Sequence, residues 1–182
     1  MHKHLFLLVL FLFCSFLRVE AETISCSIDL VSLDSLWSDT AICKIEASCT
    51  MSSQFGLSIP FTLTGERTVG GPILLETGLL LTYHPFSNGL YCNLSLLEAG
   101  FLFRGVYAEE KAPYLLNTVA FGYNRFFFGR LVLDARLTIR DPQETLEAEY
   151  DELALHFTRF PMFRFSLMLG YSWSLKQEGQ GT

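Results

Sequence analysis

The feature that most constrains the fold is a strict alternation of apolar and polar residues near the carboxyl end. The run from Phe126 to Arg140 places Phe and Leu side chains on one face and Arg, Asp and Thr side chains on the other. A second run, from Phe163 to Leu175, repeats this pattern. Successive side chains of a β-strand point to opposite faces, so a period of two predicts strands with chemically opposite faces. Strands of soluble domains average about 5–6 residues. Tilted membrane strands need about 9–11, which fits these runs better.

Shorter or less regular alternating runs occupy most of the remaining chain and are separated by turn-forming residues. They cover Ile24 to Leu33, Ala41 to Thr50, Phe55 to Glu66, Ile73 to His84, Leu90 to Arg104, Tyr114 to Tyr123 and Thr145 to Phe157. The run from Leu90 to Arg104 changes phase in its middle, which predicts a β-bulge. The whole pattern predicts an all-β fold, an antiparallel up-and-down transmembrane β-barrel. Because such barrels have even strand numbers, we predict eight strands, with either Ile24 to Leu33 outside the wall or one weak run misassigned.

The first 21 residues have the pattern of a secretory signal peptide. A short basic start precedes the apolar run from Leu5 to Leu17, and Ala21 ends a stretch suited to signal peptidase. We therefore predict export, a barrel domain over residues 22–175 and a polar tail over 176–182. An uncleaved anchor is disfavoured because the run is shorter than the roughly 20 residues of a spanning helix. Lipid attachment at Cys14 or Cys26 is a minor alternative.

Charge and cysteine usage exclude several function classes. The formal net charge is −6 and no basic stripe occurs, so we expect no nucleic-acid partner. Four cysteines follow the predicted signal, and an even number in an exported protein permits two disulfides or isolated small apolar residues; they are Cys26, Cys43, Cys49 and Cys92. No Cys/His spacing suggests zinc, and we expect no metal or cofactor.

An enzymatic function has little support in the sequence. His84 and His156 are isolated histidines, and no nucleophile-elbow, paired-histidine or phosphate-loop motif occurs. We therefore expect no enzyme.

The polar faces of the runs carry full charges in mid-strand, which suits a small barrel with a packed polar lumen. The residues predicted to face the lumen are Glu76, Arg130, Asp134, Arg136, Glu149, Arg164 and Ser166. A four-residue loop over residues 141–144 would place Arg136 opposite Glu149 as an oppositely charged cross-strand pair.

Aromatic residues gather near the ends of the runs, as expected where strands cross the two interfaces of a bilayer. The predicted aromatic girdle consists of Tyr83, Tyr91, Tyr123, Phe127, Phe157, Phe163, Tyr171 and Trp173. Phe-rich strands in any sheet would also scatter aromatic residues widely, so this pattern supports the barrel without proving it.

On strand pattern, size and signal peptide, the chain resembles the small eight-stranded outer-membrane barrels of Gram-negative-type bacteria, of the OmpX, OmpW and OmpA-domain kind. Their last strand carries a Gly followed by alternating aromatics, which Gly170, Trp173 and Leu175 partly match. Met168 and the polar tail depart from that pattern. The resemblance implies outer-membrane localisation, with membrane lipid and the barrel-assembly machinery as partners. It further implies a structural role or a narrow conduit for small or hydrophobic solutes. It implies no oligomeric state.

A secreted, soluble barrel of the lipocalin type is the alternative. That fold binds a lipophilic ligand with apolar residues inside and polar residues outside, and the alternation serves both arrangements. The long strands, the aromatic ends and the lack of a Gly-x-Trp signature favour the membrane barrel.

Overall fold

The computed structural model describes residues 22–32, 39–68, 70–86, 88–104, 113–157 and 160–175. The predicted signal peptide and polar tail lie outside these residues. The elements are β1 (Thr23–Asp29), β2 (Thr40–Thr50), β3 (Phe55–Glu66), β4 (Pro72–Tyr83), β5 (Leu90–Arg104), β6 (Tyr114–Leu116), β7 (Thr118–Phe127), β8 (Leu131–Arg140), α1 (Glu147–Ala154) and β9 (Phe163–Ser174).

The strands form one closed antiparallel barrel. Strands β1 to β5 pair in chain order, β7 pairs with β8, β8 pairs with β9, and β9 returns to β1. Both β6 and β7 pair with β5, and only Asn117 separates them, so they form a single wall strand. The wall therefore contains eight strands, which confirms the predicted eight-stranded antiparallel barrel.

One of the nine alternating runs does not form a wall strand, and it is not the run at the amino end. Residues 24–29 do form a wall strand, β1, whereas the run from Thr145 to Phe157 contains helix α1. Within that run, Leu146, Tyr150, Leu153 and Phe157 are spaced for one face of a helix. They pack in or against one apolar cluster. The predicted hairpin pairing of Arg136 with Glu149 was therefore also wrong.

Two local predictions had different outcomes. The phase change in β5 is a bulge, as predicted: Leu79 pairs with Leu97 and Leu80 with Ser95, which leaves Leu96 as the extra residue. The runs Tyr114 to Tyr123 and Phe126 to Arg140 predict a turn between Tyr123 and Phe126, but the turn lies farther along the chain, after Phe127. Gly129 there has φ of 72°, a left-handed conformation that a residue without Cβ adopts readily.

The barrel has the opposite polarity to a soluble domain. The buried residues include Glu46, Glu76, Asp134 and Arg136, whereas large apolar side chains from every wall strand are exposed. In β8, for example, Asp134 and Arg136 point inward, and Leu131 and Leu137 point outward. No helix in the described part of the chain is long and apolar enough to span a membrane.

The two ends of the barrel differ. We define the turn end as the end that holds the β2–β3, β4–β5 and β7–β8 connections, which are short. Strand β1 begins at this end, and strand β9 ends there. The cap end holds the other connections, including the β8–β9 segment with α1. An apolar cluster lies at the cap end, and it comprises Leu74, Tyr114, Leu116, Tyr150, Leu153 and Phe157.

Candidate functional site: the barrel interior

Arg136 on β8 is the centre of a buried polar cluster. Its Nη1 and Nη2 donate hydrogen bonds to the two carboxylate oxygens of Glu46, at 2.6 and 2.9 Å. Nη2 also donates to Asp134 at 2.7 Å, and Nε donates to the Tyr91 hydroxyl at 2.7 Å. The Tyr91 hydroxyl in turn donates to Asp134 at 2.6 Å. Charge-assisted, bidentate contacts of this kind are stronger and more directional than neutral hydrogen bonds.

The wall geometry brings these groups together. Asp134 and Arg136 are two residues apart on β8, so both point into the lumen. Gly122 on β7 pairs with both Tyr91 and Arg136. A Cβ at Gly122 would lie 2.4 Å from the Tyr91 ring, so only glycine leaves room for that ring. Glu46 reaches the cluster from β2, across the lumen.

A second group of charges lies nearer the cap end. Arg140 donates from Nη2 to both carboxylate oxygens of Glu76, at 2.8 and 3.0 Å, and its guanidinium lies 4.1 Å from the centre of the Phe160 ring. Arg164 contacts Asp29 at 3.2 Å. Thr118 donates a 2.9 Å hydrogen bond to Glu98. The Arg140–Glu76 contact connects β8 to β4 across the interior. The Arg164–Asp29 and Thr118–Glu98 contacts join neighbouring wall strands.

Lys44 is buried in the same interior. Among the described residues its ammonium has no hydrogen bond and no ion pair within 4 Å, although Glu46 and Asp29 act on it at longer range. It lines a small cavity together with Glu76, Glu98 and Arg140. An unpaired ammonium is costly to bury, and this polar cavity has room for water to solvate it.

The Arg136 cluster lies between two small cavities. A cavity of about 80 Å³ towards the turn end is lined by Glu46, Tyr91 and Arg136. A cavity of about 30 Å³ towards the cap end is also lined by Arg136. Ligand pockets typically measure about 300–1,000 Å³, so both spaces suit a few water molecules rather than an organic ligand.

Most of the predicted lumen residues lie inside. Glu76, Asp134, Arg136 and Ser166 are buried, and Arg164 is half-buried with its guanidinium directed at buried Asp29. Two predicted residues lie elsewhere. Arg130 is exposed in the β7–β8 turn, where it donates a 2.9 Å hydrogen bond to the Tyr171 hydroxyl, which raises the pKa of Arg130. Glu149 is on helix α1 and not on a wall strand.

Sequence reasoning missed several interior residues, namely Asp29, Lys44, Glu46 and Tyr91. Glu98 and Arg140, which lie on the polar faces of their predicted runs, are also buried. Lys44 and Glu46 are two residues apart in a run of weak alternation. That spacing was the available signal, because it puts both charges on one face of a strand.

Six of the predicted girdle residues face outward, and these are Tyr83, Tyr123, Phe127, Phe163, Tyr171 and Trp173. Of these, Phe163 lies at the cap end and the others at the turn end. Tyr91 and Phe157 do not belong to a girdle. Tyr91 lies in the lumen, and Phe157 is buried against Tyr150 and Leu153.

Cys26, Cys43, Cys49 and Cys92 are free thiols on the outward face of the wall. The disulfides that the sequence permitted are thus not formed in this structure. Within the described residues, no group of three or more His, Cys, Asp or Glu side chains is arranged to hold a metal ion.

The fold is similar to solved outer-membrane barrels. The N-terminal β-barrel domain of Pseudomonas aeruginosa OprF matches with a TM-score of 0.55 at 9% identity, over 84% of this chain and 98% of that one. P. aeruginosa OprG matches with a TM-score of 0.48 at 9% identity, over 85% and 97%. Neisserial surface protein A (NspA) gives 0.44 at 12% identity, over 84% and 95%.

No protein-family model matches the sequence, and no curated protein matches it. At 9% identity the likeness to the OprF domain concerns the fold alone. The chain has the fold of the small eight-stranded outer-membrane β-barrels.

Proposed function

We propose that this protein spans the outer membrane of a bacterium as a closed-lumen barrel with a structural role. The observation that carries the proposal is the inverted polarity of the wall. Exposed side chains of the wall strands include Ile45, Leu63, Leu97 and Phe121, while charged residues are buried inside. A contiguous apolar belt around a whole barrel far exceeds the patches that soluble monomers expose. In hydrocarbon the same belt is favourable, and a closed barrel leaves no unpaired strand edge.

The interior supports a structural role rather than a conduit. The Arg136 cluster fills the lumen between the two cavities, and the apolar cluster around Tyr150 and Leu153 packs at the cap end. An eight-stranded barrel is just wide enough for its own side chains. A solute that crossed the lumen would have to break these buried bidentate ion pairs, and the narrow lumen has no room for a full water shell around the separated charges.

The same observations argue against a soluble, lipid-binding calyx. A calyx needs an apolar interior of several hundred Å³. The interior cavities here measure about 80 and 30 Å³. They are lined by Glu46, Glu76, Arg136 and other polar groups, which a lipophilic ligand would have to desolvate.

By analogy with bacterial barrels, whose short turns face the periplasm, the turn end would lie at the periplasmic leaflet. The predicted signal peptide and the barrel-assembly machinery would deliver the chain to the membrane.

The experiment that tests the proposal is fractionation of cells that make the protein, followed by gels of detergent extracts with and without boiling. We expect the protein in the outer-membrane fraction, with faster migration when unboiled, and no steady open level in a planar bilayer. Recovery in a soluble fraction would contradict the membrane location. A steady conductance of the parent protein would contradict the closed lumen.

A further inference from the structure

Two neighbouring surface cavities at the turn end have complementary chemistry. The first is a groove of about 590 Å³ in the outer wall, and its lining is almost entirely apolar. The small side chains of Cys92 and Ala135 lie in this groove between the larger Leu90, Phe121 and Leu137. A groove of this shape and chemistry suits a hydrocarbon chain.

The second cavity, of about 460 Å³, lies at the rim of the barrel and is more polar. Its lining includes His84, Asn88 and Arg125. Phe86 and Tyr123 line both cavities, so the polar rim and the apolar groove adjoin. We call these two adjoining cavities the corner. It places a polar site directly beside an apolar one, at the level of the exposed aromatic rings.

The backbone explains why Arg125 stands at this rim. The pairing of β7 with β5 ends at Tyr123 and Leu90, but β7 continues to Phe127 with only β8 as its partner. Arg125 is thereby exposed, and its guanidinium lies 5.6 Å from the centre of the Phe127 ring. It has no hydrogen bond or ion pair with any described residue.

The distribution of charge favours an anion at this corner. Arg130, on the other side of the same hairpin, is also exposed and donates to the Tyr171 hydroxyl rather than to a carboxylate. The exposed carboxylates of the described residues lie at the other end of the barrel, on Asp39, Glu144, Glu147 and Asp151, whereas the turn end carries half-buried Glu22. Arginine matches phosphate geometry well because its planar guanidinium presents parallel N–H donors.

We infer that this corner binds one anionic phospholipid of the leaflet at the turn end. The lipid phosphate contacts Arg125 in the rim cavity, and an acyl chain occupies the groove over Ala135 and Cys92. Phe86 and Tyr123 flank the glycerol region between them. This site rests on the proposed membrane location, because only a protein in a bilayer meets such a lipid at this depth.

The test uses the whole protein reconstituted in phosphatidylcholine vesicles that contain a minor fraction of phosphatidylglycerol. The vesicles are dissolved in mild detergent, and native mass spectrometry counts the phosphatidylglycerol that stays bound. We expect the parent to retain one molecule in preference to phosphatidylcholine. Arg125→Gln should lower this retention about fivefold, the effect of one basic residue at an anionic membrane surface. Ala135→Phe, which fills the groove, should also lower it.

Matched controls place the same changes elsewhere. Arg67→Gln removes an exposed guanidinium at the cap end, and Ala47→Phe adds a ring to the outward face of β2; both should retain lipid like the parent. Parent-like retention by Arg125→Gln or by Ala135→Phe would overturn the site. Heat-dependent gel migration of the reconstituted protein separates the two proposals. A folded, inserted barrel without preferred phosphatidylglycerol overturns the lipid site alone, whereas a chain that does not insert overturns both.

Discussion

Arg136 and Glu46 hold opposite walls of the barrel together although 90 residues separate them in the chain. Two hydrogen bonds, of 2.6 and 2.9 Å, join the guanidinium on β8 to the carboxylate on β2. Both side chains are almost completely buried. Together with the Arg140–Glu76 pair, the Arg136–Glu46 pair links wall strands across the lumen.

Removing one member of this pair should destabilise the barrel strongly. Glu46→Gln leaves a buried guanidinium without its bidentate partner, and breaking a buried pair costs about 3–5 kcal/mol. The triple variant Glu46→Met, Asp134→Asn and Arg136→Met should cost less, because it removes all three charges of the cluster together. Urea unfolding of the reconstituted protein measures each value. Glu149→Gln, on helix α1 and outside the lumen, is the control and should behave like the parent. An equal loss in the control would contradict the pairing.

A charge added to the outward face should lower the stability of the barrel more, the deeper it lies in the bilayer. Leu137 lies near the middle of β8 and points outward. Leu137→Arg should cost about 2–4 kcal/mol in a bilayer. Phe128→Arg adds the same charge at the exposed β7–β8 turn and should cost less than about 1 kcal/mol. Folding titrations into vesicles report both. Similar costs at the two positions would show that Leu137 does not face hydrocarbon.

Helix α1 should detach locally when its main polar anchor is removed. The Tyr150 hydroxyl accepts a hydrogen bond from the Asn117 backbone N–H at 3.1 Å and donates to the Asn117 carbonyl at 2.8 Å. Tyr150→Phe keeps the ring but loses both contacts, at a cost of about 1–3 kcal/mol for the buried groups left unpaired. Hydrogen exchange should accelerate in residues 147–154 and stay slow in β8. Tyr83→Phe, on the outer wall, is the control. Unchanged exchange in α1 would contradict the anchoring.

The pKa of His84 should be lower than that of an ordinary histidine. Partial burial at the turn end lowers its pKa, and the backbone near Leu90 and the charge of Asp134 only partly oppose this. A histidine with a lowered folded pKa stabilises the fold in its neutral form, so this stability is present above about pH 6.5 and is lost as the pH falls. NMR titration in micelles measures the pKa, and His84→Gln should remove the corresponding slope from urea midpoints. An NMR pKa for His84 at or above that of a histidine in the unfolded chain would contradict the burial effect.

The sequence predicted the wall better than the interior, and the reason is physical. Alternation is a local property, so β8, β9 and the bulge in β5 could be identified from neighbouring residues. The Arg136–Glu46 pair depends on the closure of the whole barrel, which no local pattern contains. A search for partners within one hairpin selected Glu149 instead.

Helix α1 was missed for a different reason. Leu146, Ala148 and Tyr150 alternate like a strand, while Leu146, Tyr150, Leu153 and Phe157 also fit a helix. Short apolar runs allow both readings. Packing against the open cap end decides between them, because a helix can bury Tyr150 and Leu153 there together.

The proposed membrane location requires that the odd-numbered residues in the middle of β8 face hydrocarbon. Single nitroxide labels at residues 131–140, in a variant with the native cysteines replaced by alanine and reconstituted in vesicles, test this directly. We expect collisions with oxygen to peak at 135 and 137, with low access there to a water-soluble relaxation agent. High access of the water-soluble agent at these same positions would contradict it.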